Sequence, residues 1–306
     1  MKPINITNAY YIKLGKNGLW EESSISESKL RIGWKHQEVS HINSGNWEHI
    51  REELEQELSD KGAVTRDLNA LRIICESTSD DVWITFSRSR MWWCRVGSPV
   101  IGNDLVSKFR KLKGRWSDED IHGNQLLINR LPGGLSKTQG FRGTVCRVGD
   151  IDALRRLLNN EPIPEYQEIE ESRKLLNRSV EKGLRNLHWK DFETFVDLLF
   201  RASGWRRLSM LGENMKFADL ELEDAITGDC YQVQIKSEAT LSDFEKYSAE
   251  FDNEGYRKLY FVVHSPSSNL KRIKEHRPDV ELILPNRLSE MAVNLGLVEW
   301  LMCHIK

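Results

Sequence analysis

The stretch YQVQIKS, residues 231–237, alternates the apolar Tyr231, Val233 and Ile235 with the polar Gln232, Gln234 and Lys236. A strand turns successive side chains to opposite faces, so Gln234 and Lys236 project together from an otherwise buried strand. Just upstream, FADLELED (217–224) reads as a second strand, and the turn AITGDC (225–230) joins the two as a hairpin. That hairpin brings Asp219 to the same end of the sheet as Gln234 and Lys236. Polar groups gathered in this way are costly unless something uses them. A carboxylate and an amide oxygen are hard ligands that suit Mg²⁺, with Mn²⁺ as the substitute, and Gln brings less charge than Glu. The expectation is a site that holds metal weakly until a phosphate joins it. Lys236 stands ready to orient an attacking water or to neutralise charge growing on phosphate.

Around this hairpin the periodicity is that of an α/β domain. HWKDFETFVDLLFRASGW (188–205) spaces Phe192, Phe195, Val196, Leu199 and Phe200 along one helical face and stops at Gly204. RRLSML (206–211) reads as a strand before the hairpin. After it come a helix at LSDFEKYSAEFDNEG (241–255), a strand KLYFVVHS (258–265), a helical NLKRIKEH (269–276), a strand VELILP (280–285) and a terminal helix RLSEMAVNLGLVEWL (287–301). Residues 187–306 are therefore expected to fold around a central mixed sheet.

The first 158 residues read differently. AYYIKLG, LRIGWK, DVWITFS, MWWCRVG, NQLLINRL and TVCRVG are strand-like runs, expected to curl into a small barrel with helices. NWEHIREELEQELSD (46–60), NDLVSKFRKLK (103–113) and IDALRRLLNN (151–160) carry helical spacing. Between the halves, residues 159–186 open with two prolines and continue polar, as a helical linker would.

The net charge of −2 conceals an asymmetry: residues 1–160 hold 24 basic against 20 acidic side chains, and residues 161–306 hold 20 against 26. From Arg88 to Arg115, eight basic residues face the single acid Asp104, and Arg110, Lys111, Lys113 and Arg115 are the candidates for phosphate contacts. Seven of the ten tryptophans also fall in the first half. Trp34 follows Gly33 at a strand end, Trp93 alternates with Trp92 so that one of the two must face away from the core, and Trp116 lies in the polar KGRWSDED, which makes Trp34, Trp93 and Trp116 candidates for stacking on a base. Composition is that of a globular protein, 39% hydrophobic and 29% charged. No run approaches the roughly eighteen apolar residues of a membrane span, and MKPINITNAYY lacks the plan of a signal peptide, so no membrane partner and a cytoplasmic location are expected. The five cysteines show no CxxC or Cys/His ligand spacing, which points to free thiols.

Taken together, HWKDFETFVDLLFRASGW, ADLEL and YQVQIKS resemble the nuclease domain of the PD-(D/E)xK superfamily, in the Mrr-type form whose motif reads QxK. The resemblance covers residues 187–240. It implies a metal-binding role for Asp219, a catalytic pair in Gln234 and Lys236 with Gln234 also at the metal, and a supporting Glu193 on the preceding helix. Here GENMKFAD (212–219) replaces the family's Gly-rich lead-in. The strand order and tryptophan placement of the first half resemble, more loosely, the PUA-like group of modified-base readers that includes EVE and YTH domains.

Two function classes follow. One is a Mg²⁺-dependent endonuclease that restricts foreign or phage DNA carrying a modified base, with residues 1–158 recognising double-stranded DNA, residues 187–306 cutting it, and a homodimer cutting both strands. The other is a catalytically inactive or RNA-directed nucleic-acid-binding protein on a nuclease-like scaffold. Metal-dependent cleavage separates them.

Overall fold

The computed structural model describes residues 3–208, 218–251, 255–273 and 277–306. The chain divides into two compact units, residues 1–163 and 164–306. The proline-led helix expected as a connector, Pro164–Leu184, is counted with the second unit, and its last turns bury Val180 and Leu184 in that unit's core. No helix among the described residues is long and apolar enough to cross a membrane.

In the first unit the strands are β1 Ala9–Ile12, β2 Lys29–Ile32, β3 Val82–Ser87, β4 Arg90–Cys94, β5 Val96–Asn103, β6 Lys108–Leu112 and β7 Val145–Arg147. The helices are α1 Glu21–Ser26, α2 Val39–Ser44, α3 Trp47–Glu57, α4 Lys61–Glu76, α5 Gly133–Ser136 and α6 Ile151–Asn159. The strands form two sheets, β4-β3-β1-β7 and β2-β6-β5, and close into no barrel among the described residues. The reason lies in β1 and β3, in which every residue is buried. Tyr10, Ile12 and Trp83 enter one core, while Ala9, Tyr11, Val82 and Ile84 enter another on the opposite face. A barrel wall has one inner face; this sheet has two.

Three expectations change with it. NDLVSKFRKLK is not a helix: Lys108–Leu112 forms the central strand β6, hydrogen-bonded antiparallel to both β2 and β5. A short run with apolar residues three apart suits either element, and here strand pairing decides. NQLLINRL supplies no strand among the described residues but two isolated bridges, Arg90 with Leu127 and Glu119 with Gln125, and a 3₁₀ turn at Ile128–Arg130. The long helix α4 was not anticipated; Asp60 caps it by accepting from the Gly62 N–H at 2.8 Å.

The two-sided burial also corrects two tryptophan expectations. Trp116 is 3% exposed and donates its indole N–H to the Lys29 carbonyl at 3.1 Å. Trp92 and Trp93 pack against opposite cores, and the Trp93 indole N–H binds the Glu119 carbonyl at 2.8 Å, so neither points away from the fold.

The second unit holds α7 Pro164–Leu184, α8 Trp189–Ala202, β8 Trp205–Arg207, β9 Leu220–Asp224, β10 Cys230–Ala239, α9 Leu241–Glu250, β11 Lys258–Pro266, β12 Val280–Ile283, α10 Pro285–Asn294 and α11 Val298–His304. The sheet order is β12-β11-β10-β9-β8, with β8, β9 and β10 antiparallel and β10, β11 and β12 parallel. It is the expected mixed sheet. The terminal helix is interrupted at Gly296, whose φ of 73° lies in the left-handed region. Phe192, Phe195, Val196, Leu199 and Phe200 of α8 pack on Val233, Ile235 and Val262, while Phe244 of α9 packs with Phe261 and Val263 on the other face.

Two outcomes test this packing. Trp116→Ala should lower the unfolding free energy by about 3–5 kcal/mol, measured in urea, whereas a surface tryptophan would change it by no more than about 0.5 kcal/mol. His264 on β11 packs edge-to-face with Phe192, its buried Nε2 has no partner among the described residues, and burial pushes its pKa down to about 4. The unfolded chain takes up that proton near pH 6.5 and the native protein only near 4, so stability should fall as pH drops through this window. Unfolding of His264→Phe followed across the same pH range should lack that part of the decline.

Candidate active site and candidate base cleft

In the second unit, three elements meet at one end of the sheet. Asp219 immediately precedes β9, and its backbone N–H binds the Val233 carbonyl at 3.0 Å, which fixes the hairpin register. Its Oδ2 accepts from the Ile235 N–H at 2.6 Å and from the Gln234 Nε2 at 2.5 Å. Gln234 and Lys236 lie opposite Phe261 and Val263 in the parallel register and so share the face that α9 covers. Lys236 sets its ammonium 5.1 Å from the ring centre of Tyr247 on α9, a cation–π contact that helps fix the long side chain.

Glu193 of α8 lies within electrostatic range of Asp219 and Lys236. Burial and then the negative charge of Asp219 raise its carboxyl above the usual range, and Lys236, Lys190 and Arg207 oppose that rise. Burial also raises Asp219, against the hydrogen bond from Ile235, the charge of Lys236 and the bond from Gln234. Two carboxylates whose ionisation is disfavoured, with the Lys236 ammonium in electrostatic range of both, form the arrangement in which a cation relieves most strain. Arg207 also pairs with the buried Asp197 of α8 at 3.4 Å, a contact that the sequence pattern did not single out.

The donor chemistry suits a hard divalent ion. Both bonds to Asp219 fall on Oδ2, and Oδ1 has no donor among the described residues. Gln234 turns its N–H, not its oxygen, toward Asp219; a half-turn of the amide exchanges the two. Among the described residues no group of three or more His, Cys, Asp or Glu gathers to hold a metal, so an ion here would rest on Asp219, Glu193 and the Gln234 amide, with water and phosphate completing its shell. Glu221, which strand alternation puts on the face of Asp219, is held by the Tyr256 hydroxyl. Residues 212–217 of the lead-in GENMKFAD lie outside the described residues.

In the first unit, a cleft of about 520 Å³ opens beside the end of β2. Trp20 and Trp34 line it, as does Asp67 of α4. Of the three candidate tryptophans only Trp34 lies there; Trp93 and Trp116 do not. Trp34 has a φ of 55°, a left-handed conformation that is rare for a bulky residue. The buried Lys108 holds it, donating from Nζ to the Trp34 carbonyl at 2.7 Å and the Lys35 carbonyl at 3.0 Å. Trp20 rests on Gly15, where φ is 83° and a Cβ would come within 3.0 Å of the indole.

The expected basic surface is smaller than its sequence suggests. Arg110 is 1% exposed and gives its guanidinium to the carbonyls of Ile74, Gly97 and Ser98 at 2.5, 2.8 and 3.0 Å. It is a core residue and cannot meet a phosphate from there. Lys111, Lys113 and Arg115 are exposed.

No family model matches the chain, and no curated protein matches it. Among solved structures, that of the MspJI restriction endonuclease in complex with a 27-mer oligonucleotide is similar at 11% identity and a TM-score of 0.23, over 80% of this chain and 68% of that one. A TM-score of that size carries no argument about fold or activity.

The raised carboxyl of Asp219 has a measurable consequence. Its proton is bound more tightly in the native protein than in the unfolded chain, so native stability is lost as pH rises from about 3.8 through the higher native value. Asp219→Asn should therefore raise the unfolding midpoint at pH 7 in chelator, and the gain should vanish below about pH 3.8. Equal midpoints at pH 7 would show that this carboxylate carries no such burden.

Proposed function

We propose that the chain is a Mg²⁺-dependent endonuclease, with Mn²⁺ as the substitute ion, that hydrolyses phosphodiester bonds of double-stranded DNA carrying a modified base. On this reading residues 187–306 are a PD-(D/E)xK-type nuclease domain of the QxK form, residues 1–158 recognise the DNA, and the biological role is restriction of foreign DNA. The observation that supports it most is the electrostatic convergence of Glu193, Asp219 and Lys236 around a hairpin that also carries Gln234.

Asp219, Gln234 and Glu193 would hold the ion. When bound, it would supply a Lewis acid for the phosphate oxygen and lower the pKa of a bound water. The remaining steps belong to the chain. Lys236 presents positive charge where negative charge grows on the phosphate, and Tyr247 keeps its ammonium from swinging away. The backbone N–H of Ile235 and the register of β9 on β10 keep Asp219 in place, so little reorganisation is needed when substrate arrives. Lys111, Lys113 and Arg115 offer phosphate contacts in the first unit, and Trp34 offers a stacking face. With one such site per chain, two chains would be needed to cut both strands, hence the homodimer.

With Mg²⁺ and paired modified and unmodified phage DNA, the modified substrate should be cut. Lys236→Ala and Asp219→Ala should each reduce cutting by about 100-fold or more while leaving DNA affinity within about threefold, because both act on the transition state and not on duplex binding. Full cutting by either variant would remove the active-site assignment. A wild-type protein that binds DNA and never cuts it would leave a binding protein on this scaffold.

A further inference from the structure

The cleft of the first unit carries more information than a stacking face. Its volume of about 520 Å³ falls within the roughly 300–1,000 Å³ of small-ligand sites. Trp34 is kept in a costly backbone conformation by a buried ammonium, which presets its indole before any ligand arrives. Asp67, half-buried on α4, faces into the same cleft. Burial raises its carboxyl above the usual range, although hydrogen bonding from the Trp34 side chain and the charge of Arg66 work against the rise.

Charge decides what such a cleft admits. Lys13, Lys16, Lys35 and Arg142 line it against Glu57 and Asp67. A cationic ligand, which an aromatic cage with acids would otherwise suit, meets four positive side chains against two negative ones. A purely apolar ligand would strip water from Asp67 and return no hydrogen bond. A simple anion could meet the four basic side chains but leaves the indoles unused and gives Asp67 no donor. A planar base attached to phosphate satisfies every group: ring on tryptophan, phosphate on the basic side chains, and a donor on Asp67.

The hydrogen-bonding edge can be narrowed further. An ionised carboxylate only accepts. Cytosine, adenine and guanine each present an exocyclic amine, whereas thymine and uracil present an N–H flanked by carbonyl oxygens that a carboxylate repels. We propose that this cleft takes a nucleobase bearing an exocyclic amine, with Trp34 against its face and Asp67 accepting from the amine. The inference rests on reading residues 1–158 as the recognition part of the protein and is independent of cleavage.

The test uses the full chain in chelator, so that no cutting intervenes. The probes are thymidine 12-mers with one central dC, 5-methyl-dC, dA or dG, the all-thymidine strand, and the free nucleotides dCMP, dAMP, dGMP and dTMP. Amine-bearing probes should bind about tenfold or more tighter than their thymine counterparts, the order expected for reading one base edge. Asp67→Asn, whose amide both donates and accepts, should remove or reverse that order; Trp34→Phe should keep it at lower affinity. Melting of both variants shows that they are folded. If the order appears with strands, the ligand is a base within nucleic acid; if only with free nucleotides, it is a free nucleotide. Either result supports the assignment of Asp67. Equal binding of thymine probes, or an order unchanged in folded Asp67→Asn, overturns it. Cutting of modified DNA by the wild type with Mg²⁺, measured separately, tells whether the nuclease reading stands when this inference falls.

Discussion

Among the described residues, the Asp219 side chain accepts two hydrogen bonds through one carboxylate oxygen, and the rest of the second unit is arranged so that it can. The Ile235 N–H is available to it because β10 has ended its pairing with β9 at Val233, opposite Leu220, one residue after Asp219. Ile235 itself is locked into the core under α8, so the donor cannot drift. A carboxylate gripped on one oxygen and, among the described residues, given no donor on the other is a ligand held in waiting. Burial makes its charge unfavourable, and that charge in turn raises the carboxyl of Glu193. Packing of apolar residues elsewhere in the unit has to offset that term, and the aromatic faces of α8 and the all-buried middle of β11 are where it does so.

Much of this was legible in the sequence because two simple periods carried it. The 3.6-residue spacing from Phe192 to Phe200 sets α8, and the two-residue alternation from Tyr231 to Lys236 sets which side chains of β10 go inward. A hairpin of the right length then brings Asp219 beside Gln234 without further information. The atom that Gln234 offers was not legible. Both ends of an amide are polar, and which one faces Asp219 depends on whether a proton donor or a cation is the better neighbour for that carboxylate at the time.

The first unit was harder to read because its charged residues do not behave as charged residues usually do. Lys and Arg are rarely fully buried, so a run from Arg88 to Arg115 looks like a surface. Arg110 instead ties together carbonyls from the end of α4 and the bend of β5, segments 12 to 36 residues away along the chain. Lys108 does the same for the carbonyls of Trp34 and Lys35. No local pattern announces such contacts; they follow from two sheets and a helix leaving backbone oxygens without partners in one place. For the same reason Trp116 looked polar by its neighbours and is core by its contacts. A sheet buried on both faces also abolishes the in–out alternation from which tryptophan exposure would be inferred.

Lys108 shows why the strained Trp34 and the buried cation belong together. A bulky residue in the left-handed region persists only where its surroundings over-determine it. The two carbonyls that follow such a turn point the same way, and one ammonium can satisfy both, so the backbone conformation creates the site for the cation and the cation in turn holds the conformation. Burial lowers the pKa of Lys108, with the charges of Glu53 and Glu57 resisting that change. Glu57 also lines the cleft. An anionic group entering the cleft therefore lies close to the same field that keeps Lys108 charged, and it reinforces the contact that presents Trp34 where a cationic ligand would weaken it. Strain, buried charge and ligand preference are thus set by one local arrangement at the end of β2, without any motif in the sequence to mark it.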